Sequence, residues 1–488
     1  MDRDDFATPA VITAGSGRVL SHGELARRAG RLAAKLHERG LRSGDGVALL
    51  AENAPEAYEV CLAALRSGLD PVAVDTALSL DEAAYVVNDS EARALVAGGA
   101  TLGLATALRP LTPRVDVRYA FDGEADGYEP YEDALTGIAR DRPSGVRGAP
   151  MVYTAGVTGR PKGVVPDAAR VATTARLLSK LCALRENTIA FLPVPLADPV
   201  AVHLATAVHD ARGTVVSAAP FAPEDALGGI ERHRVTLVHL VPDLALQLIA
   251  LPSRVRARFD MSTVERVIVS GGPCPSGVLD ALSGWWGART TEIYGGAEWP
   301  VVAALDAEER AARPGSAGRA VEGTLHICDE RGVELPTGRT GLVYLTGAWA
   351  EYHGAPGWSG AARHPWQTRW VTLGDRGSLD DRGYLYLAEP GMGEAVLAAH
   401  PAVAGVAVLT IPDAGAGERV RAVVRVVAGV RPGPPLAAEL IEHVRDKCGD
   451  GQAPHTVDFV DDLPRTSAGK VLRRKLLHRY AMADGVLV

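Results

Sequence analysis

The 488-residue chain has few cysteines, and the five it has, Cys61, Cys182, Cys274, Cys328 and Cys448, are odd in number, widely spaced and without a C-x-x-C pair. That pattern excludes a disulfide framework and zinc-site spacing, so each reads as a buried free thiol. An excess of positive charge is also missing. The formal net charge is −8, which argues against a dedicated nucleic-acid or anionic-membrane surface and makes any phosphate site a local feature. Long apolar runs are absent too: the greasiest stretch, residues 237–251, is interrupted by His239, Pro242 and Asp243, short of the roughly 20 residues a bilayer span needs. The N-terminus opens on Asp2, Arg3, Asp4 and Asp5 with no apolar h-region, as expected of a cytoplasmic protein rather than a secreted one. No internal repeat or low-complexity tract stands out, and only residues 430–435 form a Pro/Gly loop.

A chain of this length exceeds one ordinary core and predicts at least two domains. Ser21 followed by Glu24 predicts a capping box, Leu25, Leu32 and Leu36 share a helical face, and Gly40 closes the segment. A strand is predicted at 47–50, followed by helices at 56–66 and 80–88 alternating with strands at 71–74 and 94–96. The alternation resumes with a helix over 168–182 and strands at 188–193, 214–217, 235–240 and 264–270. This rhythm predicts α/β architecture with largely parallel sheets. After Gly338 short strands such as 341–346 and 384–387 predict a β-rich subdomain. A break at Glu389-Pro390-Gly391 then precedes a fresh α+β unit. The expected division is a large domain over 1–389 and a small one over 390–488.

The residues that carry chemistry begin with Tyr153-Thr154-Ala155-Gly156-Val157-Thr158-Gly159-Arg160-Pro161-Lys162-Gly163. Glycines let backbone N–H groups approach phosphate oxygens, Thr158 adds a hydroxyl, and Lys162 and Arg160 supply charge. It is not the common P-loop, which needs Gly-Lys-Ser/Thr. The string resembles the phosphate loop of the adenylate-forming superfamily, which contains acyl- and aryl-CoA synthetases, peptide-synthetase adenylation domains and luciferases. Further segments match that family in order and spacing. Ser270-Gly271-Gly272-Pro273 follows a strand and resembles the place where a planar base lies against backbone. Tyr294-Gly295-Gly296-Ala297-Glu298 is similar to the family segment whose aromatic stacks on adenine and whose acid holds Mg²⁺. Gly374-Asp375 matches the acid that accepts from both ribose hydroxyls. Pro464-Arg465-Thr466-Ser467-Ala468-Gly469-Lys470 resembles the C-terminal catalytic loop.

The resemblance implies a large N-terminal and a small C-terminal domain, ATP and Mg²⁺ as cofactors, and AMP plus pyrophosphate as products. It assigns catalysis to Lys470 and Glu298, with Glu298 also the metal ligand. Nucleotide binding falls to Thr154, Gly156, Thr158, Gly159, Lys162, Gly271, Gly272, Pro273, Tyr294, Gly295 and Asp375. Gly296 and Ala297 border the acid substrate. Pro195-Leu196-Ala197-Asp198 stands where many relatives have Pro-Leu-Phe-His. Asp198 reads equally as an amine-binding acid and as a helix N-cap. His203, His209 and His239 are candidates for the same pocket, although each alone is more often a structural histidine.

Departures from the family pattern bear on the substrate. Ala155 and Val157 replace a serine and a threonine, and each lost charge-assisted hydrogen bond costs on the order of 1.5–3 kcal/mol. Ala297 replaces a threonine that contacts the acid and the α-phosphate. The junction around Glu389 lacks the usual Gly-Arg-x-Asp-Asp hinge and is shorter by about fifteen to twenty residues, where hinges absorb backbone rotation. The hairpin lost with it normally lines the pantetheine tunnel, which makes CoA a doubtful acceptor. Two substrate classes therefore stay open: a carboxylic acid, amino-bearing or aromatic, passed to an amine or a carrier protein, and nitrite, as in the superfamily's ATP-dependent diazotases, attacked by an aryl amine. A catalytically dead nucleotide-binding homologue is the reading from another class, opposed by the retention of Lys162, Glu298, Asp375 and Lys470 together.

Overall fold

The structure, a computed structural model, describes residues 7–136, 147–154, 161–218, 220–329, 331–347, 351–354, 364–367, 369–388, 392–398, 400–413, 417–427, 429–448, 453–465, 471 and 473–483. The predicted capping box is present: Ser21 N donates to Glu24 Oε2 at 3.1 Å and Glu24 N donates to Ser21 Oγ at 3.2 Å. The helix it starts runs His22–Glu38. The helix Ala168–Cys182 has the predicted bounds, capped by Asp167 at one end and by Ala183 in the left-handed region at the other.

Two sheets organise the large part of the molecule. In the first, Asp70–Ala73, Gly46–Leu50, Ala94–Gly98, Val117–Phe121 and Glu129–Pro130 are all parallel. In the second, the parallel run is Pro9–Thr13, Thr214–Ser217, Ile189–Leu192, Leu237–Leu240, Arg266–Val269 and Arg289–Tyr294. One core cluster joins Val47, Leu49 and Val96 of the first sheet to Ala190, Val215 and Leu237 of the second, with Leu25, Leu32 and Leu36 of the first helix among them. Helices thus lie between two sheets and bury both of their sides, which requires the near-continuous apolar strands seen here.

The β-rich strands do not form a separate layer. From Arg289–Tyr294 the second sheet turns antiparallel and continues through Ala303–Asp306, Gly318–Ala320, Tyr384–Ala388, Arg376–Leu379, Gly341–Thr346 and Leu325–Cys328. The sequence pattern shows strands but not their partners, and here pairing extends an existing edge.

At the C-terminal end, Val403–Asp413 pairs antiparallel with Gly417–Val426, and Thr456–Phe459 lies parallel to the latter. The helix Pro434–Cys448 covers one face through Leu436, Leu440 and Val444. The helix Arg473–Ala483 contributes Leu476 to a second small core. Two ion pairs tie this unit to the rest: Arg465 with Asp243, and Lys475 Nζ with Glu82 Oε2 at 3.3 Å. Residues 389–391, where the domain junction is expected, lie outside the described residues. Among the described residues no helix is long and apolar enough to cross a membrane, and Cys61, Cys182, Cys274 and Cys328 are free and buried.

Candidate active site

Parallel strands deliver their following loops to one edge of a sheet, the usual place for a ligand in open α/β sheets. Ser270 and Gly271 follow the strand Arg266–Val269, Tyr294 ends its neighbour, and Pro195–Asp198 lies just beyond Ile189–Leu192. Gly271 has φ +87°, which admits the turn after Ser270, and a Cβ there would lie 3.9 Å from Asp198 Oδ2. Gly272 and Pro273 are exposed beside it.

The aromatic-acid segment is fixed by its own backbone. Gly296 N donates to Trp299 O at 2.9 Å, Val302 N donates to Tyr294 O at 2.8 Å, and a Cβ on Gly295 would collide with the carbonyls of Trp299 and Pro300. Tyr294 Oη donates to Asp375 Oδ2 at 2.5 Å, which brings together two residues 81 positions apart. Burial, then the Asp375 carboxylate, pushes the Tyr294 phenol well above its ordinary range, so it stays a donor. Asp375 follows Gly374 at φ +90°, whose N–H is held by Thr372 Oγ1 at 2.9 Å.

The phosphate loop rises from a hairpin. Val152–Tyr153 pairs with Gly163–Val165, and Thr154 and Lys162 close it through Thr154 N to Lys162 O at 3.0 Å and Lys162 N to Thr154 Oγ1 at 3.1 Å. Gly156, Thr158 and Gly159 lie outside the described residues. A third strand, Glu351–Tyr352, adds to the hairpin. It carries Tyr352, whose Oη donates to Glu298 Oε1 at 2.5 Å and whose ring lies 5.2 Å from Lys162 Nζ. Burial, then Glu298, raises the Tyr352 phenol and keeps its proton in place. Ala297 packs its methyl group against Val164 and Tyr352. Tyr352 carries no motif that marks it in advance, because its position follows from a strand pairing made across nearly two hundred residues.

No group of three or more His, Cys, Asp or Glu side chains able to hold a metal is present among the described residues. Glu298 nonetheless fits Mg²⁺: it is a hard oxygen donor whose Oε2 lies 3.1 Å from where a Cβ on Gly296 would sit. Mg²⁺ is ordinarily held by one or two carboxylates with substrate phosphates and water.

The acid end is built differently. Asp198 is 8% exposed and caps the helix Pro199–Asp210, its Oδ1 accepting from Val200 N and Ala201 N at 2.9 Å each. Its other oxygen is the one beside Gly271. His239, fully buried, bonds through Nε2 to Ser270 Oγ at 2.8 Å. Burial pulls its pKa down against the opposing pull of Asp198, so the neutral ring prevails. His203 is buried one turn into the same helix, and desolvation lowers it to about 4. His209 is elsewhere: its Nε2 meets Ala10 O at 3.1 Å and its ring packs against His22 and Tyr58, a structural place far from the Asp198 loop. Asn53 braces this wall from behind, donating to Leu192 O at 3.2 Å and Val194 O at 2.8 Å and accepting from Leu196 N at 3.3 Å. The signal was local, an Asn just before Ala54-Pro55 at a helix start, but its target loop is 140 residues away.

Lys470 lies outside the described residues. Its flanks are placed: Arg465 bridges antiparallel to Val471, and Arg465 pairs with Asp243 at the start of the helix Pro242–Ile249. That helix directly follows the strand bearing His239.

The AMP-binding enzyme model matches residues 3–351, and the AMP-binding enzyme C-terminal domain model matches 393–470. The chain belongs to the AMP-binding enzyme family. It is an ATP-dependent enzyme of the adenylate-forming type, with the mixed α/β fold of that superfamily. It is 28% identical to the fatty acid–[acyl-carrier-protein] ligase ScoC of Streptomyces coeruleorubidus over 97% of this chain and 93% of that protein. Among solved structures it resembles the amide bond synthetase McbA from Marinactinospora thermotolerans, with TM-score 0.82, 28% identity and 98% of each chain covered. Against ATP-bound MatB from Rhodopseudomonas palustris the TM-score is 0.82 at 26% identity, covering 99% and 98% of the chains; against apo MatB, at the same identity and coverage, it is 0.70. The AMP-binding enzyme described here is thus closer in overall arrangement to the ATP-bound form.

Proposed function

We propose that this AMP-binding enzyme activates a carboxylic acid as its acyl-adenylate, with release of pyrophosphate, and passes the acyl group to an amine or a carrier protein. A carboxylate oxygen attacks the α-phosphorus of ATP, the bond to the bridging oxygen of the β-phosphate breaks, and pyrophosphate departs with that electron pair. The acceptor nucleophile then attacks the acyl carbon, loses its proton, and AMP leaves. Asp375 and Tyr294 would hold the ribose and adenine, and Lys162 and Thr154 the phosphates. Lys470 would stabilise charge on the α-phosphate and the entering oxygen, a preorganised electrostatic contribution. Glu298 would hold Mg²⁺, which when bound neutralises phosphate charge.

The observation that carries this reading is the meeting of Lys162, Tyr352 and Glu298 beside the Tyr294–Asp375 pair, which sets cation, carboxylate and ribose acid along one line of loops. The similarity to McbA and ScoC, an amide bond synthetase and an acyl-carrier-protein ligase by name, favours an amine or carrier-protein acceptor. CoA is disfavoured by the short junction. One feature keeps nitrite in view: Ala297 packs its methyl group where the family threonine would meet the acid, and nitrite, unlike a carboxylic acid, brings no chain to be accommodated.

The test is AMP and pyrophosphate release from Mg·ATP across aryl and amino carboxylic acids, with and without nitrite, CoA and amines, with product mass spectrometry. AMP formation dependent on a carboxylic acid supports the proposal. AMP formation only with nitrite, together with loss of an aryl amine, would make the enzyme a diazotase. Nucleotide binding with no pyrophosphate from any substrate would indicate the inactive homologue.

A further inference from the structure

One residue beyond Glu298, Trp299 is 2% exposed, and its ring occupies space that a Cβ on Gly347 would close. The guanidinium of Arg170, from the first turn of the helix Ala168–Cys182, lies over that ring with Cζ 3.4 Å from its centroid. Arg170 is itself only 3% exposed, yet its Nε and Nη2 have no hydrogen-bond partner among the described residues. The carboxylates nearest in charge are committed elsewhere. Asp167 accepts from the backbone N of Arg170 at 2.7 Å, and Glu322 accepts from Arg176 at 2.7 Å. A buried cation with open donors is costly unless an oxyanion completes it.

Arg170 lines a cleft of about 620 Å³, within the range of small-molecule sites. Trp299, Glu322, Thr346, Arg369 and Trp370 form other parts of its wall. Trp370 is braced by His326, stacked at 3.6 Å. Among the described residues, Thr154, Lys162, Tyr294 and Asp375 are not part of this wall, whereas Trp299 directly follows Glu298.

We propose that this cleft binds a small organic anion with a planar body, its carboxylate or phosphate paired with Arg170 and its body against the Trp370 indole. Charge favours an anion, since Arg170 and Arg369 line the cleft while Glu322, the one carboxylate among the described residues of its wall, is offset by Arg176. A guanidinium stacked on an aromatic face keeps its in-plane N–H groups for an oxyanion. The Trp370 indole supplies the flat apolar surface that prefers a ring to a bare inorganic ion.

The test uses the full-length protein without ATP, titrated with phenyl phosphate, benzoate, inorganic phosphate and pyrophosphate, followed by calorimetry and indole fluorescence. The proposal expects phenyl phosphate or benzoate to bind, Arg170→Met to weaken that binding by about tenfold or more, and Glu322→Gln to strengthen it by about two- to fivefold. No binding up to about 10 mM, or equal affinity in Arg170→Met, overturns the site. Pyrophosphate binding as tightly as phenyl phosphate overturns the planar body. Should Arg170→Met fail to fold, the surface variants Glu322→Gln and Arg369→Ala decide instead: opposite shifts in affinity support the site, and unchanged affinity in both contradicts it.

Discussion

The expected nucleotide end of the candidate site draws on both the large sheet and the three-stranded sheet of Val152–Tyr153, Gly163–Val165 and Glu351–Tyr352, the expected acid end on the large sheet, and the two are assembled on opposite principles. At the nucleotide end, side chains from distant segments reach each other: Tyr294 to Asp375 and Tyr352 to Glu298. A half-buried phenol and a buried one each donate to a carboxylate, and each carboxylate keeps a second oxygen that its phenol does not use. At the acid end the polar groups serve the fold first. Asp198 spends one oxygen on a helix N-terminus, His239 is tied to Ser270, and His203 is buried neutral. A shared co-substrate demands a common, outward-facing set of ligands, whereas a pocket fitted to one acid can be made from parts whose first duty is structural.

The comparison predicts unequal responses to substitution. The largest falls at the nucleotide end: Asp375→Asn should raise the KM for ATP by about 10- to 100-fold, in line with loss of charge-assisted hydrogen bonds, while the KM for the acid changes little. Equal effects on both would mean that the two ends are not separable. Next comes the tie between the units. Asp243→Asn removes the ion pair with Arg465 five residues before Lys470, and should slow pyrophosphate release several-fold, about 1 kcal/mol, with the melting temperature nearly unchanged. A large loss of stability with unaltered turnover would assign Asp243 to folding alone.

The buried histidines of the helix Pro199–Asp210 should show themselves in the pH dependence of stability. His203 and His209 are lowered to about 4 by burial, so the unfolded chain binds more protons than the folded one between pH 6.5 and 4. Stability is therefore full above the unfolded pKa and falls as pH drops through that window, by on the order of 1–2 kcal/mol per histidine at pH 5. Denaturant titrations at pH 7 and pH 5 check this; His203→Gln should flatten the difference, and an unchanged slope would contradict the buried neutral assignment. The smallest effect concerns Asp198. Asn retains the cap and Ala loses it, at about 1 kcal/mol. Measured against amino and non-amino acids, Asp198→Asn should be nearly as stable as the parent. If it also loses preference for the amino-bearing substrates, the carboxylate acts on the ligand as well as on the helix.

How much of this was legible in the sequence follows the same division. Local signals read well: the Ser21–Glu24 capping box and the helix after Asp167 are set by neighbours three or four residues apart. The residues proposed for the nucleotide were marked in the sequence by their resemblance to the family's motifs, and the structure brings Lys162, Glu298, Tyr294 and Asp375 near one another. What was not legible depends on pairing over long distances. Tyr352 reaches Glu298 only because Glu351–Tyr352 joins the phosphate hairpin, and Asn53 braces a loop 140 residues on. The β-rich strands continue the large sheet for the same reason. The Asp198 ambiguity was real, since each of its oxygens faces a different task. His209 shows the converse error of proximity in sequence: six residues beyond His203 on the same helix, it turns toward Ala10 and away from the pocket.

The central claim is that this chain adenylates an acid through Lys470 and Glu298, and the most direct measurement is substrate-dependent pyrophosphate release from Mg·ATP by the parent, Lys470→Ala and Glu298→Gln. The account predicts loss of at least about 100-fold in each variant with ATP still bound, the scale of removing one preorganised electrostatic contact. Turnover unchanged in Lys470→Ala would contradict it.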